Sequence, residues 1–167
     1  AEFVRSARGQ LRQHLDKIER AVARLPPEAV WSRAHENGNA IGNLLLHLAG
    51  NVRQWIVSGL GGAPDARDRA AEFARRQPIP LDDVLARLRA ALDEADRVLE
   101  ALGPAELLAV YPIQVYETTG LDAVLHVVEH FSEHTGQILW AVKHATGEDL
   151  GFYAYLNPGG TGGSGRP

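Results

Sequence analysis

Apolar side chains recur every three or four positions along four long stretches of the chain, which is the spacing of an amphipathic helix. The predicted helices cover residues 3–25, 40–60, 81–102 and 119–146. Proline or glycine follows each stretch where the apolar pattern stops, as expected at the end of a helix. Four amphipathic helices of this length predict an all-α fold, a four-helix bundle with long crossover connections.

The segments between the predicted helices differ in length. The connector 26–39 is short, which predicts that the first two helices are antiparallel neighbours, with Asn39 capping the second. Segments 61–80 and 103–118 are long enough to cross the bundle, and the first includes one short predicted helix in RDRAAEFARR. For residues 105–119 we predict an extended crossover, because VYPIQVYETT is rich in β-branched and aromatic residues but too short and isolated for a sheet.

Composition indicates one globular domain, residues 1–157, followed by a flexible glycine-rich tail at 158–167. The net charge of −4 and the lack of a basic block argue against nucleic acid or an anionic membrane as a partner. The chain has no cysteine, which excludes disulfides, thiolate ligands and a cysteine nucleophile. It opens without the pattern of a secretory signal, and no apolar run reaches the ~18 residues of a membrane span, so we expect a cytoplasmic protein.

Four histidines carry the candidate chemistry. His126, His130 and His134 recur every four residues in the last predicted helix and therefore share one face, one turn apart. His47 lies near the centre of the second predicted helix, within AIGNLLLHLAGNVRQWIV. An H-x₃-H pair on a helix can bind one divalent ion, and a third histidine from a neighbouring helix would leave an open coordination position. An open position is typical of a reactive metal centre rather than a structural one.

A plainer interpretation exists for the same pattern. Polar residues spaced by four also fit a helix face turned to solvent. This applies to the histidine column and to a column on the second predicted helix that consists of Asn39, Asn43, His47 and Asn51. Gln137, in turn, could either be a surface residue or orient an imidazole through its second nitrogen.

Two other metal chemistries fit the histidines poorly. The string His126-Val127-Val128-Glu129-His130 matches the H-x-x-E-H motif of inverted zinc peptidases, which need a further acidic ligand downstream and a large substrate chamber. Only 37 residues follow His130, and several belong to the predicted tail. A di-iron carboxylate centre requires two E-x-x-H motifs, and neither Glu129 nor Glu133 has a histidine three residues later.

Three segments, NAIGNLLLHLAGNVRQWIVSGLGG, HVVEHFSEHTGQI and DLGFYAYL, together resemble the DinB–YfiT-like superfamily of small bacterial metal-binding four-helix bundles, over about residues 3–156. The resemblance implies one divalent ion, most often nickel or zinc, bound by one histidine of the second helix and two of the last long helix. The matching residues are His47, His130 and His134, the last two preceding the Gly-Gln dipeptide of the motif. His126, one turn upstream, is a weaker candidate for a fourth ligand.

The same resemblance implies two alternative functions. Superfamily members include transferases that use low-molecular-weight thiols such as bacillithiol or mycothiol. The leading hypothesis is therefore that a small-molecule thiol, bound as thiolate, attacks an electrophile. The alternative is a metal-binding or stress-associated bundle without turnover. Relatives are commonly homodimers, and the aromatic residues Phe152, Tyr153 and Tyr155 could form such a contact or fold back onto the chain's own core.

Overall fold

The computed structural model describes residues 2–156, and most of them are helical. The helices are α1 (Glu2–Val22), α2 (Ile41–Val52), α3 (Arg69–Ala74), α4 (Leu81–Ala101), α5 (Pro104–Leu108) and α6 (Gly120–Thr146). A π-helical segment, Arg53–Leu60, continues α2, and 3₁₀ turns cover Pro27–Trp31 and Ala154–Leu156. Two strands, β1 (Val110–Ile113) and β2 (Tyr116–Thr119), complete the described elements. The all-α fold and its four long helices are confirmed.

The long helices form a bundle in which α1 and α2 lie diagonally. Both pack against α4 and α6 rather than mainly against each other. The prediction that the first two helices are neighbours is therefore wrong. The connector between them contains a 3₁₀ turn and passes across the end of the bundle. Because an extended residue spans ~3.3 Å, the connector is long enough for this path. The contact between α2 and α6, which the histidine site requires, is present.

Apolar side chains from all four long helices meet in one continuous core. The helical spacing read from the sequence predicts this result, since residues three and four apart share a face. The largest fully buried side chains of the long helices include Ile18, Leu45, Leu48, Leu88, Leu99, Phe131 and Ile138.

Residues 105–119 do not form the predicted extended crossover. They form α5 and an antiparallel hairpin of β1 and β2, with Gln114 in the left-handed region at φ 58° in the turn. A two-stranded hairpin is marginal when isolated, but this one packs on the bundle. Ile113 is buried against Gly59 of the π-helical segment, where a β-carbon would overlap the Ile113 side chain. Packing on the end of α2 therefore stabilises a pairing that the local sequence alone did not predict.

The segment after α6 folds back onto α1. Gly147 adopts the left-handed conformation, φ 71°, and ends α6 as predicted. Leu150 is buried, and the guanidinium of Arg20 lies 4.9 Å from the centre of the Phe152 ring. Tyr153 stays exposed. Of the two interpretations of the aromatic segment, these contacts favour capping of the chain's own core.

The predicted glycine-rich tail at 158–167 lies outside the described residues, as do Ala1 and Asn157. Within residues 2–156, no helix combines the length and apolar character that crossing a membrane requires.

We predict that Asp96→Asn destabilises the bundle only where the carboxylate is ionised. Arg8 Nε and Nη2 donate to the two Asp96 oxygens at 2.7 and 2.9 Å, which joins α1 to α4 and lowers the pKa of Asp96. The pair is partly exposed, so the loss in unfolding free energy at neutral pH should be ~1 kcal/mol or less. Since the folded-state pKa lies below the unfolded value of ~3.9, the contribution is present above that value and is lost as pH falls through the folded-state pKa.

Urea unfolding of wild type and Asp96→Asn over a series of decreasing pH values measures this effect. A difference between the two proteins that does not shrink in acid would contradict the ion-pair explanation.

Candidate metal centre

The second long helix buries a polar column. Asn43, His47 and Asn51 are 0%, 4% and 4% exposed, so the interpretation of the column as a solvated face is wrong for these residues, although Asn39 is exposed. Most residues of α2 are buried, so even its polar face points into the bundle. Asn43, not Asn39, caps the helix, because its Oδ1 accepts from the Ala40 N–H at 3.1 Å.

The last helix crosses α2 in the opposite direction and brings His130 and His134 against His47. His47 Nε2 lies 3.0 Å from His130 Nε2, and the ring centres of His47 and His134 are 5.0 Å apart. Asn51, one turn after His47 in α2, contacts His126, one turn before His130 in α6. The two helices are therefore antiparallel. The three histidines each present one nitrogen within 4.8 Å of the others.

This arrangement of nitrogens fits one divalent ion. Two nitrogens that each lie ~2.1 Å from a shared ion are ~3.0–3.4 Å apart at bond angles of ~90–110°. The observed His47–His130 separation of 3.0 Å falls in that range. His47 is buried, whereas His130 and His134 are half-buried. The centre could therefore hold a metal ion through three histidines with its remaining positions toward the partly exposed side.

The opposite side of His47 is closed by the crossover between α2 and α4. Glu72 of α3 places Oε2 2.9 Å from His47 Nδ1, and Arg67 donates to both Glu72 oxygens at 2.8 and 2.9 Å. Neither residue stands out in the sequence, because charges in a loop with no long apolar pattern resemble ordinary surface charges. The nearest signal is the short helix predicted within RDRAAEFARR, which the structure confirms as α3.

The two remaining polar candidates of α6 have different surroundings. His134 Nδ1 lies 2.8 Å from Gln137 Oε1, so Nδ1–H can donate to the amide and leave Nε2 available to an ion. This is the orienting arrangement considered for Gln137. His126 instead packs against Trp55, with ring centres 3.9 Å apart and the ring planes tilted by 33°, and it lies outside the group of three histidines in the described chain.

Comparison with known protein families decides where the chain belongs. The sequence profile of the mycothiol-S-transferase family matches residues 7–141, a range that includes all three clustered histidines. The chain belongs to the mycothiol-S-transferase family. That family is part of the DinB–YfiT-like superfamily, so the resemblance found in the sequence is confirmed.

A solved structure supports the same fold. The chain is similar to a conserved protein from Enterococcus faecalis with a TM-score of 0.73, over 86% of this chain and 97% of that one. The two sequences are 12% identical, so the likeness shows the fold alone. Comparison with curated proteins gives no match.

In this member of the mycothiol-S-transferase family, burial favours the neutral form of His47 and His130. Burial is the main cause that lowers the pKa of His130 to about 3, and the neighbouring imidazoles add to it. Burial also lowers the pKa of His47. For Glu72 burial opposes ionisation, but hydrogen bonds from His47 and Arg67 outweigh it and lower the pKa. His47 and His130 are therefore favoured in the neutral form, in which imidazole binds a metal.

We predict that His130→Ala removes the bound metal while the protein keeps its helical content. The substitution deletes a central nitrogen of the cluster but leaves Phe131 and the apolar core in place. Elemental analysis of purified protein and far-UV circular dichroism measure the two quantities. His35→Ala, at an exposed histidine outside the cluster, is the matched control and should keep the wild-type metal content. Stoichiometric metal in His130→Ala would contradict the assignment.

Proposed function

We propose that the protein is a metal-dependent transferase that joins a low-molecular-weight thiol to an electrophilic substrate. One divalent ion, nickel or zinc, is bound by His47, His130 and His134 in this proposal. The observation that carries it is the cluster of three converging histidines in a chain of the mycothiol-S-transferase family. All-histidine centres accept several divalent metals, so the geometry supports the class of ion rather than one element.

The proposed chemistry follows from the ligands. A bound divalent ion supplies Lewis acidity, which lowers the pKa of an adjacent thiol so that it is a thiolate near neutral pH. The three candidate ligands are all imidazoles, so no carboxylate among them would reduce the charge of the ion. The S–H proton passes to solvent, a sulfur–carbon bond forms with the electrophile, and the leaving group departs with its electron pair. Since the chain has no cysteine, the thiol comes from a small molecule.

A cleft beside the cluster supports a role in binding that thiol. It has a volume of about 570 Å³, within the usual range of ~300–1,000 Å³ for small-molecule sites. It adjoins the cluster, because Gln137 both lines it and contacts His134. Trp140 forms an exposed aromatic face that stacks on His144. The cleft is lined by Asn39, Leu44, Glu133, Gly136, Gln137, Trp140 and Ala141.

We also propose where the protein acts and what it binds. A thiol substrate must stay reduced, which the cytoplasm provides, so we place the protein there. We further propose a homodimer, with no nucleic-acid or membrane partner. The net charge of −4 supports the exclusion of nucleic acid and anionic lipid.

The function is tested by loading purified protein with zinc or nickel and supplying mycothiol, bacillithiol or glutathione together with 1-chloro-2,4-dinitrobenzene. We expect metal-dependent formation of the thioether with at least one thiol, absent in His134→Ala and present in His35→Ala. Binding of metal without turnover of any thiol would favour the alternative, a metal-binding bundle that is not an enzyme.

We predict that Trp140→Ala raises the KM for the thiol several-fold and changes kcat little. Trp140 lies more than one helical turn beyond His134 and is expected to contact the body of the thiol equally in ground and transition states. Trp140→Phe keeps an aromatic face and should stay close to wild type. An unchanged KM in Trp140→Ala would remove the cleft from the proposal.

A further inference from the structure

The crossover between α2 and α4 supplies a buried ion pair to the back of His47. The side chains of Arg67 and Glu72 are 4% and 11% exposed, unlike ordinary loop charges. Arg67 Nε and Nη2 donate to Glu72 Oε1 and Oε2 at 2.8 and 2.9 Å. Glu72 Oε2 lies 2.9 Å from His47 Nδ1, on the side of the ring opposite His130. Charges are rarely buried in this way unless each has a partner, and here the pair and the imidazole satisfy one another.

The chemistry of imidazole determines which atom donates in the hydrogen bond between His47 Nδ1 and Glu72 Oε2. If His47 Nε2 binds an ion, its proton must be on Nδ1, which can then only donate. Glu72 Oε2 is the acceptor within reach. Arg67 also lies 3.0 Å from Nδ1, but a guanidinium only donates, so in that tautomer its role is to hold Glu72.

The bidentate bond from Arg67 has a second consequence. It occupies both oxygens of Glu72, so the carboxylate stays behind the imidazole and does not turn toward the ion as a ligand. The positive charge of Arg67 also balances that of Glu72, so the pair orients His47 without changing the net charge beside the ion.

The backbone of α2 is shaped to receive Glu72. Asn43, one turn before His47, donates through Nδ2 to the Glu72 carbonyl oxygen at 2.7 Å. Gly50, almost one turn after His47, faces the carboxylate, and a β-carbon there would overlap Glu72 Oε1 and lie 2.9 Å from Arg67 Nε. The chain therefore fixes both the backbone and the carboxylate of Glu72 from three positions on one face of α2.

We propose that Glu72, held by Arg67 in the space left by Gly50, is a positioning residue that fixes the His47 tautomer whose Nε2 lone pair faces the metal. This inference rests on the metal centre of the proposed function but not on its transferase activity. It makes the crossover part of the metal centre, although no ligand comes from it.

Zinc affinity tests the proposal without any substrate. Competition with a chromogenic chelator on the full chain should show zinc binding 10–100-fold weaker in Glu72→Ala than in wild type, the usual effect of losing a partner of a ligating histidine. Gly50→Ala should give a loss in the same direction, because the new methyl displaces the carboxylate while every ligand remains. Gly9→Ala, in α1 with open space around its β-carbon, is the matched control and should bind zinc like wild type.

A spectroscopic readout separates positioning from general stability. In zinc-loaded wild type, ¹⁵N NMR should show His47 with a protonated Nδ1 and a metal-bound Nε2, and the Nδ1 proton should exchange slowly with water. In Glu72→Ala that proton should exchange faster while thermal unfolding of the metal-free protein remains cooperative. Wild-type zinc affinity and wild-type exchange in both variants would overturn the positioning role alone. Failure of the wild type to bind zinc would overturn the metal centre itself.

Discussion

The packing of α2 against α6 determines most of what is particular to this structure, because it buries amide and imidazole groups in the middle of an apolar bundle. A buried polar group without a partner costs ~1–3 kcal/mol, so each member of the column on α2 needs one. Asn43 finds partners in the Ala40 N–H and in the carbonyl oxygens of Glu72 and Arg75. Most of these partners lie in the crossover, and the buried column therefore also fixes where the crossover docks.

Several buried polar groups around the histidines lack a hydrogen-bond partner in the described part of the chain. Asn51 Oδ1, Trp55 Nε1 and His130 Nδ1 are buried without a hydrogen-bond partner among the described residues. Stable folds retain few such groups, and those that persist concentrate at functional sites. Here they surround a cluster of three histidines whose ring nitrogens converge. An arrangement of this kind is costly as a purely structural core and is useful as a site that binds an ion and a small molecule.

Sequence patterns predicted the parts of the structure that depend on local spacing. The four long helices follow from apolar residues three and four apart. The same geometry places His47 in a polar column on the second helix, and His130 and His134 in another on the last helix. Loop length did not predict that α1 and α2 lie diagonally, because a connector of this length can reach either neighbouring or opposite helices. The hairpin depended on Ile113 packing against Gly59, a contact more than fifty residues away in sequence. Glu72 and Arg67 could not be predicted from the sequence for the same reason, since only their contacts with His47 distinguish them from surface charges.

X-ray absorption at the metal edge of the zinc-loaded protein tests most directly whether three histidines from two antiparallel helices bind one ion. We expect three imidazole nitrogens at ~2.0–2.1 Å from the ion, with the remaining positions filled by light atoms from solvent. A spectrum that requires two or fewer imidazoles would contradict it.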